Sequence, residues 1–439
     1  MFKLYDICLI GLGPAGIGFL SSLDEEMLKK SVCFEKGNNN TICTCHTNSK
    51  CSECDSCNIV SGIGGASRFS CGKISNFPAG SGLLPFWDSK ESSLVDFMNY
   101  HINILKNELD MCKVFVSNEN IRKSEALFSA NDITYKYYDV YEFQKDKYIT
   151  YLSKVINEAQ SKGLKINYNT EVLQIEKRDY KNEKSFLITT KTNDVISKYY
   201  AKKVVIATGN IVDNSMLIQN LTNKSLQLSC ELGIRITVPT NKISEILNYH
   251  GDLKVKYKNG RTYCVSKNGY LIAYSVNNSL LLEGYVDNTT SSNLTNLAII
   301  FKCDDQSILK NFKETYSKKY NGIPIKQRYT DYINHKMSVL DFREKYIPVQ
   351  QGDVNDLFPN KINDSIHDFI ESVLIKTIGL DGKDIIVYAP ELKETHYFDV
   401  NNDFQIATNI FVVGAATGKF RGILQSICSG KHCVDIMRR

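Results

Sequence analysis

Residues 4–16 read LYDICLIGLGPAG: an apolar, strand-forming run followed at once by a Gly-x-Gly-x-x-Gly turn from Gly11 to Gly16. Apolar residues then recur at helical spacing over residues 17–28, and a second strand-like run ends at Glu35. This order predicts a strand, a tight turn, a helix and a second strand, which is the dinucleotide-binding unit of Rossmann-type folds.

Each position of the turn has a physical task in holding a dinucleotide. Gly11 permits the tight turn, Gly13 lets the backbone approach a diphosphate, and Gly16 lets the helix pack closely on the strand. The start of the helix supplies unpaired N–H donors for the anion, and Glu35 can accept hydrogen bonds from a ribose. The predicted contacts in this region are Gly11, Gly13, Pro14, Ala15, Gly16, Glu35 and Lys36.

Composition excludes several other classes of protein. The 439 residues are 43% hydrophobic and 23% charged, which is typical of a folded chain and excludes disorder. The net charge of +5 comes from scattered basic residues, so we expect no nucleic-acid partner. No apolar run approaches the roughly 18 residues that a membrane-spanning helix needs, and no signal peptide precedes the first strand. We therefore expect a cytoplasmic protein without a membrane partner.

Two later stretches are similar to the second and third nucleotide motifs of two-domain flavoproteins. One strand ends in Ala207-Thr208-Gly209, and another ends in Gly414-Ala415-Ala416-Thr417-Gly418. The chain has no second Gly-x-Gly-x-x-Gly unit for NAD(P)H, so FAD is the preferred dinucleotide. Residues 216–395 show a different sequence pattern. Short runs of alternating apolar and polar residues are separated by turn sequences, which predicts a mainly antiparallel sheet.

The expected fold is therefore α/β, with a discontinuous Rossmann-type FAD-binding domain and an inserted, mainly antiparallel α+β substrate (cap) domain. The predicted division assigns residues 1–88, 148–215 and 396–439 to the FAD-binding domain, 89–147 to a helical and aromatic insertion, and 216–395 to the cap domain.

Several stretches together resemble a bacterial and archaeal family of FAD-dependent dehydrogenases, the NAD(FAD)-utilising dehydrogenases. They are the fingerprint, residues 51–58, Gly62 to Lys73, Leu232 to Arg235, Arg261 to Cys264 with Gly269-Tyr270, Ala389 to Lys393, and Arg421 to Gln425. The resemblance implies an FAD domain of the glutathione-reductase type, with the cap domain over the flavin. It implies further cofactor contacts at Gly64, Gly65, Ser70, Thr208, Gly209, Gly414, Ala415, Gly422 and Ile423.

The chain departs from the family pattern at two positions. Cys71 replaces the Asp of a Ser-Asp-Gly-Lys segment, and Ala415 replaces the Asp of a Gly-Asp pair. In the family that second Asp accepts a hydrogen bond from the ribityl chain of the flavin, and losing such a bond costs about 1–3 kcal/mol. The resemblance places Cys71 near the flavin ring and Cys264 in the roof over it. Cys71, Lys73 and Cys264 are accordingly the candidate catalytic residues, with an inert buried thiol as the alternative for Cys71.

Cysteines are concentrated near the N-terminus. Seven of the 14 lie between residues 33 and 71, which in a reducing compartment favours metal or redox chemistry over structural disulfides. Two residues separate Cys51 from Cys54 and Cys54 from Cys57, and Cys45 lies upstream with Cys43 and His46 as alternative ligands. This spacing suits a [4Fe–4S] cluster, a structural zinc suits it almost as well, and free thiols are the third interpretation.

The sequence predicts an FAD-dependent oxidoreductase that transfers a hydride between the flavin and a small organic substrate. A flavin-dependent monooxygenase is one alternative. Another is a metal-containing binding or assembly protein in which the flavin is structural or absent. The use of NAD(P)H as a transient electron donor, and of a redox partner protein, is left open.

Overall fold

A mainly parallel sheet of eight strands and an antiparallel sheet of seven organise the computed structural model. It describes residues 3–39, 54, 56–211, 215–218, 221–222, 226–248, 251–287, 289–397 and 399–439. The strands are β1 Leu4–Ile10, β2 Ser31–Phe34, β3 Lys73–Ser75, β4 Cys112–Lys113, β5 Thr134–Tyr135, β6 Val140–Glu142, β7 Lys165–Asn167, β8 Thr170–Lys177, β9 Phe186–Thr192, β10 Val195–Ile206, β11 Gln227–Pro239, β12 Val255–Tyr257, β13 Gly260–Ser266, β14 Tyr270–Val276, β15 Ser279–Tyr285, β16 Leu294–Lys302, β17 Ile325–Arg328, β18 Ile386–Tyr397, β19 Gln405–Ala407 and β20 Ile410–Val412.

The helices connect these strands and cover the sheets. They are α1 Pro14–Leu20, α2 Glu25–Lys29, α3 Glu91–Leu109, α4 Asn118–Ser129, α5 Lys145–Ser161, α6 Ser215–Ile218, α7 Thr240–Asn248, α8 Gln306–Tyr320, α9 Tyr329–Tyr332, α10 Asn360–Phe369 and α11 Ile423–Arg438. Short 3₁₀ segments at Gly65–Phe69, Ser81–Trp87 and Gly414–Thr417 lie in the N-terminal and C-terminal parts of the chain.

The first sheet has the order β19-β20-β10-β1-β2-β7. Its strands β20, β10, β1, β2 and β7 are parallel, whereas β19 pairs antiparallel at the edge and β9 and β8 continue antiparallel from β10. The chain reaches this sheet from its N-terminus, its middle and its C-terminus. The predicted α/β class with a discontinuous Rossmann-type sheet is confirmed.

Both faces of the parallel sheet are buried, as its near-continuous apolar strands require. Ile7 and Leu9 of β1 pack with α1, α3, α5 and α11, whereas Cys8 and Ile10 point to the opposite face, beside β8 and β9. Helices α1 and α11 approach at backbone distance, because a Cβ on Gly430 would lie 2.0 Å from the carbonyl oxygen of Ala15. The fingerprint helix is thus fixed against the last helix of the chain.

The second sheet has the order β17-β18-β11-β16-β13-β12-β5, and all of its pairs are antiparallel. Its core includes Ile234 and Ile236 of β11, Ile299 of β16, and residues of α8 and α10. Phe69, from the segment that follows the fingerprint, belongs to the same apolar cluster. The predicted antiparallel domain is therefore present and packs against the first part of the chain.

Two details bear on the predicted domain boundaries, which stay predictions. Strand β18 runs through residue 395, and the two-residue strand β5, from the predicted helical insertion, pairs with β12 of the second sheet. A two-residue strand has no alternation to detect, so the sequence could not indicate this pairing. Within the described residues, no helix combines the length and the apolar character needed to cross a bilayer.

Candidate functional site

The fingerprint turn lies between the end of β1 and the first residue of α1, with Gly13 as the N-cap of the helix. Gly13 has φ −67° and ψ −178°, a conformation that any residue can adopt. A Cβ built on Gly13 would find its nearest heavy atom, the carbonyl oxygen of Ala207, at 3.9 Å. Neither the backbone nor the packing therefore demands a glycine here, and the missing side chain leaves open space in front of the helix N-terminus.

Glu35 is buried and supports the turn through three backbone N–H groups. Its Oε2 accepts from Leu12 at 2.7 Å, and its Oε1 accepts from Gly37 and Gly62, both at 2.8 Å. The motif predicted this residue but not these contacts, which tie three segments together. Within the described chain, Oε2 has one such donor and can accept a second, because a carboxylate oxygen carries two lone pairs. Lys36, also a predicted contact, is half-exposed and pairs with Glu171 at 2.6 Å.

The segment from Gly62 to Lys73 leads from the fingerprint to the second sheet. The Gly64 N–H donates to the carbonyl oxygen of Leu12 at 2.7 Å, and a Cβ on Gly65 would lie 3.5 Å from the Cα of Gly13. Further along, the carbonyl oxygen of Ser70 accepts from Val286 N–H at 3.4 Å. These predicted cofactor contacts thus line one continuous path from the turn toward the second sheet.

The C-terminal motif packs against Ala15 of α1. Gly414 N–H donates to Ser429 Oγ at 2.9 Å, and a Cβ on Gly414 would lie 2.7 Å from the Cβ of Ala15. Gly422 is the N-cap of α11. Gln425, in the first turn of α11, donates from Nε2 to the carbonyl oxygens of Ser75 and Ala79, both at 2.9 Å. The positive end of the α11 dipole therefore lies beside β3, which begins at Lys73.

Thr208 and Gly209 follow Ala207, which comes directly after β10 and lies against Gly11 of the fingerprint. A Cβ on Gly11 would lie 2.7 Å from the carbonyl oxygen of Ala207 and 3.2 Å from the Cα of Thr208. Gly209 has φ +74° and no heavy atom within 4 Å of an added Cβ. The structure thus brings the end of β10 to the same edge of the sheet as the fingerprint.

Cys71 and Cys264 lie together, with their Sγ atoms 4.0 Å apart. Cys71 precedes β3, whereas Cys264 lies in β13 at a register irregularity and has φ +49°. The Cys264 S–H donates to Cys71, and this bond lowers the pKa of Cys71, with a further lowering from Lys73, despite burial. The same bond and burial raise the pKa of Cys264. Two candidates that the sequence singled out separately therefore form a pair in which Cys71 is the more acidic thiol.

Lys73 makes its contacts with the second sheet's domain. Its ammonium donates to the carbonyl oxygens of Gly251 (3.2 Å) and Val265 and to Asp252 Oδ1 (3.0 Å). Burial alone would lower the pKa of Lys73, but Asp252, Cys71 and Cys264 together outweigh burial and raise the pKa. Three acceptors match the three donors of an ammonium group, which favours a positioning role for Lys73. Its catalytic assignment stays a prediction.

A buried charge network lies behind Cys264. Arg235 is fully buried and donates to both carboxylate oxygens of Glu391 (3.0 and 3.3 Å), to Glu283 (3.1 Å), to Asn296 (2.8 Å) and to the carbonyl oxygen of Cys264 (3.2 Å). Lys393 contacts Glu283 at 2.7 Å and Glu391 at 3.1 Å.

Burial would raise the pKa of Glu283, but Lys393 and Arg235 lower it to about 2. The sequence did not predict this network as a unit. Its signal was the charged residues within the otherwise apolar strands β11 and β18.

Only part of the predicted metal site can be described. Cys43, Cys45, His46 and Cys51 lie outside the described residues. Cys57 Sγ accepts from Ser275 N–H at 3.4 Å, and Cys54 Sγ accepts from Asn58 Nδ2 at 3.5 Å. No group of three or more metal-ligating side chains occurs among the residues that the structure describes. The iron–sulfur and zinc interpretations therefore stay predictions.

Comparisons with known proteins give architectural similarity and no family. No family model matches the chain, and no curated protein matches its sequence. Among solved structures, glycine oxidase from Geobacillus kaustophilus is similar, at 15% identity and a TM-score of 0.43, covering 100% of this chain and 95% of that one.

Two further solved structures are similar at the same level. NikD, an unusual amino acid oxidase essential for nikkomycin biosynthesis, is 10% identical over 99% of this chain and 94% of its own, with a TM-score of 0.43. L-alpha-glycerophosphate oxidase from Mycoplasma pneumoniae, with FAD bound, is 12% identical over 100% of this chain and 95% of its own, with a TM-score of 0.41. At these values the similarity is not evidence for a particular activity.

Proposed function

We propose that this chain binds FAD and acts as an oxidoreductase on a small organic substrate held between the flavin and the antiparallel sheet. The observation that carries the proposal is Gly13. It is a glycine that the backbone conformation does not require, and the space in front of it faces the N-terminus of a buried helix. An anionic group that must approach the backbone closely explains both facts.

Three features around this point support the proposed binding of a dinucleotide. The backbone N–H groups of Ala15 and Gly16, which follow Pro14 at the start of α1, suit a diphosphate. The remaining acceptor position on Glu35 Oε2 suits a ribose hydroxyl. The start of α11, at Gly422 and Ile423, suits the redox-active ring. When bound, FAD supplies two-electron hydride chemistry.

The chain's own groups prepare the site in three ways. The positive end of α11 stabilises negative charge placed beside it. In the proposed arrangement the second sheet lies over the flavin, and the exclusion of water there strengthens electrostatic interactions. Arg235 and Lys73 each tie the strand that carries Cys264 to a neighbouring segment, because both donate to carbonyl oxygens of Cys264 or Val265.

Dehydrogenation or reduction of a C–C or C–N bond is the proposed reaction type, with the glutathione-reductase type of FAD arrangement. A metal bound by Cys45, Cys51, Cys54 and Cys57 would add a one-electron carrier if it is an iron–sulfur cluster, and a structural clamp if it is zinc.

The proposal is tested by FAD uptake. Purified protein is mixed with excess FAD, freed of unbound flavin by gel filtration, and examined by absorption spectroscopy and mass spectrometry of the released cofactor. We expect one FAD per chain with two flavin bands, and no uptake of riboflavin, which lacks the diphosphate. A well-folded protein that retains no FAD would contradict the proposal.

Restoring the missing carboxylate should strengthen FAD binding. Ala415 follows Gly414, whose N–H donates to Ser429 Oγ. At this position the resembled family has an Asp that accepts a hydrogen bond from the ribityl chain. We expect Ala415→Asp to lower the dissociation constant of FAD by about 10-fold, the equivalent of one added hydrogen bond. Fluorescence quenching titration measures the change.

Ala415→Leu is the matched control, because it adds volume without an acceptor and should not strengthen binding. Equal affinities of the wild-type and Asp variants would show that Ala415 does not face the ribityl chain.

A further inference from the structure

We propose that Cys71 and Cys264 are a redox-active pair that converts between a dithiol and a disulfide within the candidate site and exchanges its electron pair with the flavin. The inference rests on the proposed function for its electron partner. The pair itself rests on geometry alone, because two residues 193 positions apart bring their sulfur atoms to 4.0 Å.

The backbone on both sides of the pair is held in place. Arg235 donates to the carbonyl oxygen of Cys264, and Lys73, two residues after Cys71, donates to the carbonyl oxygen of Val265. The same lysine therefore links the segment of one cysteine to the neighbour of the other. A disulfide needs a sulfur separation of about 2.05 Å, so the two thiols must approach by about 2 Å, a distance that side-chain rotation can cover.

Cys264 has a backbone conformation that is rare for a residue with a side chain. Its φ of +49° falls where β13 and β16 shift register, between the pairs Tyr263 with Ala298 and Ser266 with Asn296. An irregularity of this kind redirects a side chain out of the regular alternation. Here it directs the Cys264 thiol toward Cys71 rather than along the sheet.

The charges around the pair favour one nucleophilic thiol. Lys73 lies beside Cys71, and the Cys264 S–H donates to it, so that Cys71 is the thiol more easily deprotonated. Asp252 and Glu283 act in the opposite direction on Cys71, but Lys73 is paired with the first and Lys393 with the second. Cys71 therefore reacts as the thiolate and Cys264 as the thiol.

The chemistry balances as a two-electron step. The Cys71 thiolate and the Cys264 thiol form an S–S bond while the S–H bond of Cys264 breaks. Two electrons and one proton leave the pair, and oxidised flavin accepts them as a hydride equivalent. In the reverse direction, reduced flavin returns the two electrons and the proton, the S–S bond breaks, and the thiolate and thiol are regenerated.

Cys230 and Cys303 provide a matched comparison within the same chain. Cys303 N–H donates to the carbonyl oxygen of Cys230 at 2.8 Å, and both cysteines are buried in the second sheet's domain. Burial raises the pKa of both of these thiols, so neither is made more acidic as Cys71 is. Substituting Cys303 therefore removes one of two adjacent thiols without changing the candidate site.

The first stage of the test uses protein without added flavin. Protein is oxidised with diamide, its remaining thiols are alkylated, and peptides are mapped without reduction. We expect a peptide that links Cys71 to Cys264, absent in Cys71→Ser and in Cys264→Ser and retained in Cys303→Ser. Circular dichroism shows that each variant is folded. If folded wild-type protein forms no such peptide while its other thiols are oxidised, the pair is overturned.

The second stage uses the FAD-loaded protein under anaerobic conditions. Reductive titration of the oxidised wild type should consume about two electron pairs per flavin, and the Cys264→Ser variant about one, because only the wild type also carries a disulfide. Equal consumption overturns the exchange with flavin. Failure to load FAD overturns the proposed function and the role of FAD as electron partner. The first stage still shows whether Cys71 and Cys264 form a disulfide.

Discussion

Replacing Gly13 with Glu is expected to abolish FAD binding while leaving the fold intact. The φ of −67° at Gly13 suits any residue, and the nearest heavy atom to an added Cβ is 3.9 Å away. A Glu side chain would fill the space in front of α1 and would add a negative charge where the diphosphate binds. We expect the dissociation constant for FAD to rise by about 100-fold or more, which corresponds to about 2.7 kcal/mol.

Two controls separate this effect from a loss of stability. Gln144→Glu adds the same charge at the N-cap of α5, an exposed position, and should leave FAD binding unchanged. Gly16→Ala should instead destabilise the protein, because its Cβ would lie 2.2 Å from the carbonyl oxygen of Gly11. FAD titration and urea unfolding are measured for all three variants. If a folded Gly13→Glu protein binds FAD with normal affinity, the diphosphate does not bind in front of α1, and the proposed function is contradicted.

The parts of the site that the sequence could predict are local in the chain. The turn from Gly11 to Gly16 and Glu35 at the end of the next strand belong to one βαβ unit, in which residue spacing determines position. The parallel sheet was predictable for the same reason, because apolar runs next to glycine turns mark each of its long strands. The antiparallel domain was predictable as a class from its alternating runs, but not strand by strand.

The unpredictable parts depend on contacts between distant segments. No spacing rule brings Cys71 to Cys264, because their approach depends on the irregularity in β13. Lys73 is a similar case, since its partners Asp252 and Val265 lie 179 and 192 positions further along the chain. A glycine-lysine pair near a cofactor motif suggests a cofactor contact, whereas the structure shows an ammonium whose donors are matched by protein acceptors.

The largest effect on stability is expected from Arg235→Met. Arg235 and Lys393 balance the charges of Glu283 and Glu391, and the side chains of Arg235 and Glu391 are both 0% exposed. Removing the guanidinium leaves a buried carboxylate without its bidentate partner and frees the carbonyl oxygen of Cys264. We expect a loss of about 3–5 kcal/mol in the free energy of unfolding, measured by urea denaturation.

The double variant Arg235→Met with Glu391→Leu distinguishes charge imbalance from lost packing. It leaves Lys393 paired with Glu283, so no net charge remains buried, and apolar replacements of a buried ion pair are often close to neutral. We therefore expect the double variant to be more stable than Arg235→Met alone. Arg343→Met, at an exposed ion pair, should leave the stability unchanged. If the double variant is less stable than the single one, the network stabilises the second sheet through its hydrogen bonds rather than through charge balance. The hydrogen bond from Arg235 to the carbonyl oxygen of Cys264 is then the contact to test next.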